Sequence, residues 1–232
     1  MKISKSLLTT AALVASIGAS ATANAQVTGS LAAGPIGAFL GLTTSIAPAP
    51  GAVCTGGATC VLGGTVGTIS GGSIFMADQP FNDIPAGGVF GDRFLSSGPA
   101  ATSPSTLTFS GPGLANIGFL WGSPDTYNFL TVVSAGPNEN AQTFWVGAGL
   151  NNGAVGLGFS TTNGNQAFSQ YVRFDAAPGT FITQLVFSNN PSTNAFEVAN
   201  FSTNVVPEPA TYALMATGLL ALGAIAKRRE QA

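Results

Sequence analysis

From residue 73 onward, polar and apolar positions alternate in short runs. Residues 106–110 read Thr-Leu-Thr-Phe-Ser, the period of two expected for a half-buried strand. Similar β-type runs occupy 73–76, 117–121, 129–133, 142–146, 155–160, 171–175, 181–188 and 196–201. Most lie ~8–12 residues apart with Gly, Pro or Asn clusters between them, which predicts an antiparallel sandwich or barrel. Gly122-Ser-Pro-Asp125 reads as the turn between two of these runs. No window before Tyr212 shows a helical period with caps. The expected fold class is all-β, an antiparallel β-sandwich of jelly-roll type, over residues 73–204.

The preceding segment, 26–72, carries no charge and is rich in Gly, Ala, Thr, Ser and Pro, with Ala-Pro-Ala-Pro at 47–50. Its composition predicts irregular chain or weak edge strands around a loop between Cys54 and Cys60. Two cysteines this close form a disulfide in an oxidising compartment. So short a loop contributes at or below the ~3 kcal/mol expected for fifteen residues. Zinc would need two further ligands, and the chain has no histidine and no other cysteine.

The two ends depart from the strand pattern. Lys2 and Lys5 precede an apolar stretch from 7 to 21 and then Ala23-Asn24-Ala25. That order predicts a signal peptide over 1–25, cleaved after Ala25 to leave Gln26 first. The other end, 206–231, reads Val-Pro-Glu-Pro-Ala-Thr, an apolar run from 212 to 226, then Lys227-Arg228-Arg229. Fifteen helical residues reach ~22 Å at ~1.5 Å each, against ~30 Å of hydrocarbon. A helix over 211–226 is thus a marginal single transmembrane span, suited to temporary retention. The basic tail, 227–229, holds that end cytoplasmic. Pro207 and Pro209 keep the chain before the helix extended and open to a protease.

Pro207-Glu208-Pro209, the apolar helix and Lys227, Arg228 and Arg229 together resemble the PEP-CTERM sorting signal of Gram-negative bacteria, over 206 to about 230. The resemblance implies recognition by a membrane-embedded exosortase that cuts at or near Pro-Glu-Pro. The inner membrane would then be a transient anchor, and the destination the cell surface or extracellular matrix.

Between the two end segments remain about 180 residues, one domain's length. Two basic residues, Arg93 and Arg173, face seven acids, a balance near −5. Such a chain has no electrostatic footprint for nucleic acid. Without histidine there is no Ser-His-Asp or Cys-His arrangement, and without a lysine in this body no P-loop. Residues 147–153 miss the dinucleotide-binding glycine spacing by one. Asp78, Asp83 and Asp92 could contribute oxygens to a structural calcium, but they match no EF-hand loop. No catalytic residue, metal site or cofactor is assigned, and the expected class is not an enzyme.

The richest local chemistry is Trp121, Ser123, Asp125, Tyr127 and Asn128. A ring beside amide and carboxylate groups suits sugar binding, by stacking and by hydrogen bonds to hydroxyls. A strand tryptophan also suits a core, and an aspartate after Ser-Pro suits a turn. Residues 116–128, with Asn165-Gln166, 171–174 and 194–200, resemble a subgroup of PEP-CTERM surface proteins across about 75–202. That resemblance implies a lectin-like or galactose-binding-like sandwich. The chain departs from it at Ala199, where the subgroup has an acid.

Three functions follow for weighing. The first is an exported surface or matrix protein associated with exopolysaccharide or biofilm. The second is a carbohydrate-binding module using Trp121, Asp125, Tyr127 and Asn128. The third is a glycan hydrolase using two of Asp83, Asp92, Asp125, Asp175 and Glu197, which would have to lie ~5–10 Å apart.

Overall fold

A computed structural model describes residues 26–44, 52–54, 60–76, 88–98, 103–136, 140–159, 168–190, 194–204 and 217–220. The expected leader with Ala23 and Ala25 lies outside the described residues. So do Asp78, Asp83, Pro207, Glu208, Pro209, Lys227, Arg228 and Arg229. Residues 217–220, inside the expected C-terminal helix, are helical. Among the described residues no helix is long and apolar enough to cross a membrane.

The described body is all-β. Its strands are β1 (Val27–Ala32), β2 (Ala38–Phe39), β3 (Leu42–Thr44), β4 (Ala52–Val53), β5 (Cys60–Leu62), β6 (Gly67–Ser70), β7 (Ser73–Met76) and β8 (Arg93–Ser97). There follow β9 (Ser105–Phe109), β10 (Asn116–Gly122), β11 (Asn128–Ala135), β12 (Asn140–Trp145), β13 (Leu150–Asn151), β14 (Ala154–Gly156), β15 (Ser169–Ala176), β16 (Phe181–Asn189) and β17 (Phe196–Thr203). They build two sheets. The first runs β1-β15-β10-β17-β8-β7-β4, with β2 on the end of β17; the second runs β13-β14-β12-β11-β16-β9-β6-β5-β3. Pairing is antiparallel except between β12 and β14.

The inward residues of both sheets form one core, as a sandwich requires. Phe119, Phe174 and Phe196 come from the first sheet, and Phe144, Leu185 and Phe187 from the second. Rings meet edge-to-face across the interface: Phe187 with Phe119 at 5.7 Å and with Phe196 at 5.2 Å, and Phe144 with Phe174 at 5.0 Å. Burying each such side chain contributes ~1.5–3 kcal/mol. The alternation legible in the chain is the cause. In β11, Leu130 and Val132 point inward while Phe129, Thr131 and Val133 are half-buried outside.

Residues 26–72 are more than irregular chain. β1 is an edge strand of the first sheet, paired with β15 from Val27↔Ala176 to Ala32↔Tyr171. β6 is an interior strand of the second sheet, between β5 and β9. The Cys54–Cys60 disulfide, Cα–Cα 5.5 Å, joins the residue after β4 in the first sheet to the first residue of β5 in the second. Besides closing a short loop, it therefore ties the two layers together, and both its cysteines are buried.

The first sheet is also covered on its outer face. Val89, Phe94, Leu120 and Ala199 form a second apolar cluster there, with Phe75 and Tyr171 against it. Register fixes the direction of each central strand. Val27 and Asn116 lie opposite Ala176 and Asp175, and Gly118 lies opposite Ser202. The starts of β1 and β10 and the ends of β15 and β17 thus share one end of the sandwich, here the terminal end. Gly122, Ser169 and Glu197 share the far end.

Candidate functional site

The β10–β11 turn closes the far end. Ser123 takes a left-handed conformation, φ 36°, and its N–H donates to the Phe168 carbonyl at 2.9 Å. The turn is fixed by Asn128, whose Oδ1 accepts from the Asp125 N–H at 2.9 Å while its own N–H donates to the Asp125 carbonyl at 2.9 Å. The Asn128 Nδ2 donates to the Ala195 carbonyl at 2.8 Å, so an amide on the second sheet holds the chain entering β17 of the first. Asn189 does the same nearby: its Nδ2 donates to the Ser97 carbonyl of β8 at 2.9 Å. In return the Ser97 hydroxyl donates to the Phe187 carbonyl at 3.0 Å.

Within this frame Tyr127 donates its hydroxyl proton to Asp125 Oδ2. Burial raises the Tyr127 pKa well above a tyrosine's ordinary value, helped by that hydrogen bond and by the negative charges of Asp125 and Glu197. Glu197 sits on β17 opposite Gly122 and Ser96. Asp125 and Glu197 are both buried.

The structure thus brings together Asp125, Tyr127 and Asn128, with Glu197 acting on the same phenol. It separates Trp121 from them. Trp121 is fully buried, stacked on Phe196 with centroids 4.3 Å apart and meeting Phe159 edge-on at 5.3 Å. It offers no free face for a sugar, which corrects its place in the expected binding cluster. The reason is parity: Ile117, Phe119 and Trp121 share the inward side of β10. Trp145, which the sequence reading passed over, is the partly buried tryptophan. It lies on β12 opposite Phe129, and its Nε1 donates to the Gly149 carbonyl at 3.3 Å.

Neither of the other described acids, Asp92 and Asp175, joins Asp125 and Glu197 at the far end. Asp175 lies at the terminal end and accepts two hydrogen bonds from Arg173, at 2.6 Å each. Asp92 ends the short 3-10 turn at Phe90–Asp92. Among the described residues no group of three His, Cys, Asp or Glu side chains is placed to hold a metal ion. At the terminal end, Asn116 closes the last strand. Its carbonyl accepts from Thr203 Oγ1 at 2.7 Å and its Oδ1 from the Asn204 N–H at 2.9 Å.

The molecule is therefore an all-β sandwich whose C-terminal segment begins immediately beyond a clamped central strand. Residues 205–229 match the family model of the PEP-CTERM protein-sorting motif. The chain carries that motif, the recognition element for exosortase processing, and the motif implies sorting of an exported surface protein. No curated protein and no solved structure matches the chain.

Proposed function

We propose that this chain is a non-enzymatic surface or matrix protein whose sandwich is delivered by its own tail. An N-terminal leader exports it and is cut after Ala25. The apolar segment within 211–226 holds the precursor in the inner membrane until exosortase cuts at or near Pro207-Glu208-Pro209. The lectin-like sandwich then joins the extracellular polysaccharide of the cell surface or biofilm. The observation that carries this reading is the sorting motif at 205–229, placed directly after a folded β body. A low-charge chain, with 7% Asp, Glu, Lys and Arg, suits a hydrated neutral polymer better than a polyelectrolyte.

Mass spectrometry of the protein from cells with and without exosortase tests the proposal. The expected mature species starts at Gln26 and lacks Lys227, Arg228 and Arg229, and the enzyme-deficient cells retain the tail. A tail still attached in wild-type cells would defeat it.

A further inference from the structure

We propose that the terminal end of the sandwich is a docking face for the membrane-embedded processing enzyme. This rests on the processing reading above. Both segments that address the membrane leave the body from this one end. Gln26, the expected first mature residue, accepts a hydrogen bond at its carbonyl from the Ala177 N–H at 2.8 Å, and its Oε1 accepts from Thr180 Oγ1 at 2.9 Å. Asn204, the last residue before the sorting motif, is held by Asn116. The strands carrying them, β1 and β17, are separated by β15 and β10. Three strand spacings of ~4.8 Å put the two exit points ~14 Å apart.

The tether from body to motif is short. Only Val205 and Val206 stand between the clamped Asn204 and Pro207. From Asn204 to Pro207 the chain makes three Cα steps, ~10–11 Å when fully extended. An enzyme that grips Pro-Glu-Pro must therefore meet the rim of the sandwich, because the body cannot swing clear of it. That rim is polar and carries little free charge. Arg173, two residues in from it, is engaged by Asp175, and the β15–β16 turn there is closed by Thr180 N–H donating to the Ala177 carbonyl at 2.9 Å. Among the described residues this rim presents no cluster of Lys or Arg, which suits a protein surface rather than anionic lipid.

The test places bulk and charge on the rim of the full-length precursor in cells. Pro178→Arg, on the exposed tip of the β15–β16 turn, and Thr28→Arg, on the exposed side of β1, are the rim variants. Leu150→Arg, on an exposed edge position away from the rim, is the control. Pulse-chase blotting follows conversion of precursor to mature protein. Each rim variant should slow conversion about fivefold, as charges at a contact rim act on association, while Leu150→Arg converts at the wild-type rate. A ten-residue Gly-Ser spacer between Asn204 and Val205 should restore the rim variants, because the body can then stand away from the enzyme.

Rim variants that mature at the wild-type rate on the native tether would overturn the docking face. So would slowed variants that the spacer fails to rescue, since the defect would then lie in folding. Faster conversion of the rim variants, with tighter flotation on phosphatidylglycerol vesicles than Leu150→Arg shows, would assign the face to anionic lipid and overturn it equally. If even wild type shows no exosortase-dependent cleavage, the processing reading itself fails, and that outcome is separate from the others.

Discussion

The two ends of the sandwich are built from the same residue types to different effect. At the far end, Asn128 and Asn189 are buried, and each reaches from the second sheet to a carbonyl of chain belonging to the first. At the terminal end, Asn116 clamps its own neighbour in the same sheet, and the amide it holds belongs to exposed Asn204. A buried amide with all its partners locks layers together; an amide at a wet rim only orients a strand end. One end of this molecule is a closure and the other an outlet. The difference places the sandwich's most ordered polar chemistry opposite the point where the sorting tail departs.

The comparison can be broken most forcefully through the core behind the closure. Trp121→Ala removes the ring stacked on Phe196 and should cost ~3–5 kcal/mol of stability, as large-to-small changes of a buried aromatic do. Urea unfolding of the mature protein would show it as a lower midpoint with unchanged slope. Retained stability with weakened glycan binding would mean the ring is not core at all.

A sharper version pits asparagine against asparagine. Asn128→Ala strands the Asp125 N–H and the Ala195 carbonyl without their side-chain partner, and should cost ~2–4 kcal/mol because buried groups left unpaired lose their full desolvation energy. Asn116→Ala keeps the carbonyl that accepts from Thr203 Oγ1 and removes only the Oδ1 that accepts from the exposed Asn204 N–H, so it should cost only ~0.5–1 kcal/mol. Equal losses at the two positions would erase the distinction between closure and outlet.

Much of this architecture was legible in the chain. The runs at 106–110 and 129–133 are strands because period-two alternation directly encodes a half-buried sheet, whereas 117–121 and 196–201, in β10 and β17, are buried on both faces and were legible as short apolar runs bounded by turn residues. What composition concealed was the role of small residues upstream. Gly29 reads as loop material, yet it lies in β1 where a Cβ would stand 2.8 Å from Phe144 and from Phe174. The glycine is there so that β1 can close over aromatic rings, a reason that exists only after folding. Parity likewise hid the fate of Trp121: its residue type suits a binding site as well as a core, and only the inward neighbours Ile117 and Phe119 decide. The Asp125–Asn128 turn was visible as a turn, but its anchor at Ala195 lies 67 residues downstream, beyond the reach of local pattern. β8 escaped notice because it follows Phe90–Asp92 without the polar alternation of the others.

The smallest effect concerns the phenol inside the closure. Tyr127 has a higher pKa in the folded protein than in the unfolded chain, first because it is partly buried and then because it donates to Asp125. The sign follows from linkage. The folded state favours the protonated phenol, so its contribution to stability is complete below the unfolded value of about 10 and declines as pH rises past it toward the folded value. Thermal unfolding should therefore show a falling midpoint above about pH 10 in the wild type. Tyr127→Phe has no proton to lose and should flatten that alkaline decline, while at neutral pH it forfeits only the hydrogen bond to Asp125. Because the phenol is partly open to solvent, the shift in midpoint should be modest. An alkaline limb unchanged by the substitution would place the titration elsewhere and show that the closure at the far end does not depend on the Tyr127–Asp125 contact.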